Sequence, residues 1–231
     1  MNDAHSNTED HRHLSARFDA ELQEVRRGIL KMGRVVDAQV TNAVQALIQR
    51  EPLAASRVVA GDGEVNGLER ELDERCVRLL ALHQPAASDL RFIAAVLKIV
   101  TDLERIGDFA VSIAESVGSL RAARLRAEQD LSGLAEAALT VLRDALEAFV
   151  QRNVDEAQAT ATADERVKAW VSRLAAELRD SIQRDPSTLE EALAILLVTR
   201  HLERIAQHAT NVAEMAIYTA RGEDVRHVPR G

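Results

Sequence analysis

The chain has 231 residues, of which 46% are hydrophobic, 29% charged and only 3% aromatic, with a formal net charge of −8. An acidic chain without a basic block is poorly suited to nucleic acid, where neutralising phosphates dominates affinity. The one cysteine, Cys76, excludes an internal disulfide and a multi-thiolate zinc site, and reads as a small core residue. Ala, Leu, Arg, Glu and Val dominate, which favours long helices over strands.

Residues 1–13 are polar and read as a disordered lead-in without the apolar core of a signal peptide. A first helix is expected over Leu14–Gln49. Its apolar stripe is Phe18, Leu22, Val25, Ile29, Met32, Val36, Val40, Ala43 and Leu47, in steps of three and four. Glu51-Pro52 interrupts it, with Pro52 suited to the first turn of a second helix, Leu53–Leu82. Gly61, Gly63 and Gly67 weaken the middle of that helix and allow a kink. Ser88 has the character of an N-cap for a third helix, Asp89–Arg121. Its stripe includes Phe92, Val96, Ile99, Leu103, Ile106, Ala110 and Ile113, alternating four and three as in antiparallel bundles.

The pattern then restarts. A fourth helix is expected over Leu125–Arg152, and Asn153 is placed to cap a fifth that runs to Arg184. Asp185-Pro186-Ser187 breaks the chain before a sixth helix ending near Ala220. The longest apolar run, Ala192–Val198, falls far short of the roughly 20 residues that span a bilayer. A cytoplasmic protein is expected. Leu-Glu-Arg-Ile occurs at residues 103–106 and again at 202–205. Around it, the segment from Asp102 to Glu115 lies over that from His201 to Glu214. The expected fold is therefore all-α: two tandem antiparallel three-helix bundles, at 14–121 and 122–220, followed by a tail at 221–231.

Carboxylates beside the packing seams are the candidate chemistry. Glu104 and Asp108 are four apart, so they share a helix face. Like charges at that spacing repel by a few tenths of a kcal/mol, and a hard cation would reverse the sign. A second acidic line, Asp62, Asn66, Glu69 and Asp73, faces the first if the second and third helices pack antiparallel. The bland alternative is a solvated face neutralised by arginines such as Arg70, Arg75 and Arg105. In the second copy, Asp164 and Glu203 persist, but Lys168 and Gln207 stand where Asn66 and Asp108 stand. No phosphate-binding loop or nucleophile motif appears.

The sequence resembles the PhoU family of phosphate-transport regulators. The resemblance rests on Gly61-Asp62 with Val65-Asn66, Cys76-Val77-Arg78, the run Gln84 to Arg91, the run Leu103 to Asp108, Leu202 to Ile205, and Gly222 to His227. It implies a cytoplasmic, non-enzymatic negative regulator of phosphate uptake and of the phosphate-starvation response. Implied partners are a sensor histidine kinase, the ATPase of the phosphate ABC transporter and a second copy of the chain. Nucleic acid is not among them, and the membrane is reached only through partners. The resemblance also implies divalent or iron-type metal ions at Glu104, Asp108, Asp62 and Asn66. A counterpart at Asp164 and Glu203 is degraded by Lys168 and Gln207. The alternatives are a metal-dependent carboxylate-site enzyme and a purely structural helical scaffold.

Overall fold

The computed structural model describes residues 3–119 and 128–223, apart from the side chains of 3–15, 119, 128, 129 and 164. The tail beyond 223 lies outside the described residues. Every described element is helical: α1 Asp3–Gln49, α2 Pro52–His83, α3 Ala87–Glu115, α4 Glu128–Gln151, α5 Val154–Thr160, α6 Asp164–Arg184 and α7 Leu189–Arg221. No helix among the described residues is long and apolar enough to cross a membrane.

Several local expectations change. α1 begins at Asp3, so it takes in the stretch expected as a lead-in, where no Gly or Pro stands to break it. α2 runs unbroken through its three glycines. α3 starts at Ala87, with Ala86 rather than Ser88 at the N-cap and no side-chain cap. The expected fifth helix is divided by a turn at 161–163 into a short α5 and a longer α6, among the described residues. The hydroxyls of Thr160 and Thr162 donate to the carbonyls of Glu156 and Ala159 at 2.8 and 3.0 Å there. Such side-chain bonds compete with the helical ladder. Asn153 caps α5 as expected, its side chain accepting from the Glu156 amide at 3.2 Å.

The corners show the duplication again. Arg50 and Arg152 both adopt the left-handed region, at φ 54° and 57°. In each corner the following amide reaches back five residues, Glu51 to Ala46 and Asn153 to Ala148, both at 2.9 Å. This is a Schellman close, here with arginine where glycine is usual.

The repeats pack side by side. α1 lies against α4 and α3 against α7, while α2 and α6 are outside. The partners run antiparallel: Lys98 sits over Tyr218 at 5.9 Å, Asp102 meets His208 at 2.7 Å, and Phe109 meets His201 at 5.6 Å. Asp102 corresponds to His201 in the repeat, and Phe109 to His208. The two contacts are therefore one contact made twice, as at an isologous interface. Across α1 and α4, Arg143 donates to both carboxylate oxygens of Asp37, at 2.6 and 3.2 Å. One continuous apolar core joins the two repeats. Gly133 admits the Trp170 indole against α4, since a Cβ there would lie 2.4 Å from the ring.

Cys76 is fully buried in that core, and burial pushes its thiol up to about 12. The thiolate is the reactive form. Cys76 is therefore expected to resist a thiol reagent in the folded protein and to react within minutes in denaturant. Fast labelling without denaturant would contradict the packing.

Candidate functional site

The candidate site of repeat one lies between α2 and α3. Leu103, Ile106, Gly107 and Ala110 face the core, which turns Glu104 and Asp108 towards the seam with α2. On α2, Val65, Leu68 and Leu72 bury, which leaves Asp62, Asn66, Glu69 and Asp73 along the facing edge. The two lines are near enough for their charges to act on one another. The Glu104 carboxyl is held above its usual range, first by burial and then by Asp108, with Glu69 and Asp62 adding to it. Glu69 is raised by burial, then Asp73, then Asp108. Burial also raises Asp73.

Arginine shares the site. Arg105 donates to Asp108 at 3.1 Å and approaches Glu104 at 3.6 Å. Asn66 donates to Asp62 at 2.7 Å, so its amide is engaged within its own helix. Arg70 donates to the Asn66 carbonyl at 3.3 Å. The Glu104 side chain is 20% exposed and Asp108 43%. Among the described residues, no three Asp, Glu, His or Cys side chains converge closely enough to form a ready metal cage. The donor chemistry of repeat one nevertheless suits a hard cation. Its oxygens are carboxylates and an amide, they are partly desolvated, and they repel one another.

Repeat two does not offer the same chemistry. Glu203 pairs with Arg200 at 2.7 Å, and Gln207 accepts from Arg204 at 2.7 Å. Lys168 pairs with Glu165 at 2.9 Å. The Asp164 side chain lies outside the described residues.

Two features escaped the sequence reading. One is the link between repeats, where Asp102 also accepts from Asn211 at 3.0 Å. The other is Gln39 on α1, only 7% exposed, whose amide nitrogen and oxygen both lack a hydrogen-bond partner. Its oxygen would lie 3.3 Å from a Cβ on Gly107, beneath the acidic site. Its only sequence signal is a glutamine three residues after Val36, on the buried stripe.

Comparison with known proteins places this architecture. A PhoU domain matches the chain twice, at residues 29–117 and 131–216. The phosphate-specific transport system accessory protein PhoU homolog of Pseudomonas putida is 40% identical over 94% of this chain and 85% of its own length. The accessory protein PhoU of Escherichia coli K12 is 33% identical over 94% of this chain and 90% of its own. The crystal structure of PhoU from Pseudomonas aeruginosa superposes with TM-score 0.84 at 39% identity, covering 89% of this chain and all of that one. The phosphate transport system regulatory protein PhoU of Streptococcus pneumoniae also reaches TM-score 0.84, at 31% identity over 90% of this chain and 99% of its own. With two matched domains, packed as two repeats of a helical bundle, this chain belongs to the PhoU family.

Proposed function

We propose that this protein is a non-enzymatic negative regulator of phosphate uptake and of the phosphate-starvation response. It acts in the cytoplasm by docking on the sensor histidine kinase and on the ATPase of the phosphate ABC transporter. The observation that carries this reading is the near full-length match to accessory proteins of phosphate transport, spanning both repeats. Long bundle faces with exposed charge suit docking to other proteins. A homodimer belongs to the same reading.

Metal belongs to repeat one. Glu104, Asp108, Asp62 and Asn66 would hold a divalent or iron-type ion, with Glu69 beside them. The ion supplies positive charge to carboxylates that otherwise repel. Arg105 must swing away to admit it, so metal and arginine compete for the same oxygens.

The test is co-purification of the kinase and the ATPase with the tagged chain, at high and low phosphate. Retention of at least one partner, altered by phosphate, is expected. Retention of neither at either phosphate level sinks the adaptor reading.

A further inference from the structure

A concave surface lies between α1 and α2, bordered by Gln39, the side chain that also lies against Gly107 of α3. It is a groove of about 630 Å³ between the two helices, lined by Lys31, Arg34, Gln39, Asn42, Gln45 and Arg57 among others. Lys31 to Gln49 spans about 27 Å along α1 at 1.5 Å per residue. That length matches roughly eight residues of extended chain at 3.3 Å each.

Three properties describe its occupant. The first is charge. Lys31, Arg34 and Arg57 outnumber the two carboxylates on the lining, Glu51 and Glu64. Among the described residues, no hydrogen bond or ion pair engages any of the three cations. The chain as a whole is at −8, so this concavity runs against the net charge of the molecule. Arg34 stands at the border of this groove and also lines the one between α1 and α4, beside Arg143, Asp37 and Glu147.

The second is hydrogen bonding. Asn42, Gln45 and Gln49 stand along one edge at steps of three and four, exposed. Each amide carries donors and an acceptor, which suits the alternating groups of a peptide main chain. Gln39 is nine-tenths buried in the same lining with both amide atoms unsatisfied. A buried amide is costly to leave without partners, and this one is satisfied when the main chain of a ligand draws the side chain into the groove. The third is relief. Ala38, Ala46, Ala54 and Gly61 keep the lining shallow enough for a backbone to approach.

We infer that the α1–α2 groove is a docking site for an acidic, extended peptide segment of a partner protein. The inference rests on the adaptor reading for its biological setting and on the groove alone for its chemistry. Carboxylates of the segment pair with Lys31, Arg34 and Arg57 while its main chain lies along the amide edge.

The probe is a fluorescently labelled peptide of about ten residues, alternating Glu and Gly, followed by anisotropy at low ionic strength. The chain is expected to bind it, and added salt to weaken binding. The double variant Arg34→Glu with Arg57→Glu is expected to weaken it at least about tenfold, because like charges now face each other. Gln39→Leu should weaken it severalfold without loss of thermal stability. Arg166→Glu, an exposed arginine on α6, should leave it unchanged. Absence of binding overturns the inference. So does equal weakening by Arg166→Glu, which would mean a general field. Displacement of the peptide by an equal concentration of inorganic phosphate would make the groove a small-anion site and overturns it as well. Co-purified kinase or ATPase with no peptide binding keeps the adaptor reading and rejects the groove. Groove-dependent peptide binding with no co-purified partner does the reverse.

Discussion

Phe149→Ala should lower the unfolding free energy by about 3–5 kcal/mol, the range for emptying a buried aromatic site. Phe149 is completely buried and stacks on Phe92 with centroids 5.3 Å apart and planes 12° apart. Phe92 belongs to repeat one and Phe149 to repeat two, so this ring pair joins them. Arg26 covers the outer face of Phe92 at 4.5 Å and donates to the Val150 carbonyl at 3.0 Å. Its position leaves little room for the site to collapse. The check is the urea midpoint and slope. A double-mutant cycle with Phe92→Leu and Phe149→Leu should return a coupling of about 0.5–1.5 kcal/mol. A loss under about 1 kcal/mol for Phe149→Ala would show that the rings do not hold the repeats together.

Metal addition should raise the melting temperature of the wild-type chain, and the double variant Glu104→Gln with Asp108→Asn should not respond. At a metal concentration one hundred times the dissociation constant, the stabilisation is about 2.7 kcal/mol. In metal-free buffer the order reverses. There the variant should be more stable by a few tenths of a kcal/mol, because it removes like charges four residues apart. That reversal separates an ion site from a carboxylate pair that only keeps the helix folded. Glu203→Gln should not diminish the metal response, since Glu203 is already engaged by Arg200. Mn²⁺ is a suitable probe, followed by calorimetry at neutral pH. An equal rise in wild type and double variant would place the metal elsewhere.

The packing stripes were legible because three-and-four spacing reports directly which side of a helix is buried. Leu103, Ile106, Leu202 and Ile205 are all fully buried, as that spacing requires. The acidic lines were legible for the same reason, since their residues sit one step off the seam. The break between α5 and α6 was not. It falls in a run of Ala and Thr with no Gly or Pro, and depends on where threonine hydroxyls find carbonyls. The role of Arg105 was legible in part: sequence offers it as one of three arginines that could neutralise the acidic face, and the fold shows it turned onto both Glu104 and Asp108. Gln39 has almost no local signature, because its significance lies in what three helices fail to offer it.

The reciprocal contacts of Asp102 with His208 and of Phe109 with His201 have an evolutionary consequence. A contact made twice about a local two-fold axis is how two identical subunits would meet. In a true homodimer every substitution appears in both halves at once. Joining the halves into one chain lifts that constraint, so each can drift alone while the shared seam is kept. Arg204 with Gln207 in one half, and Arg105 with Asp108 in the other, are what such drift leaves behind. One half can then carry a carboxylate where the other carries an amide, as Asp108 and Gln207 do.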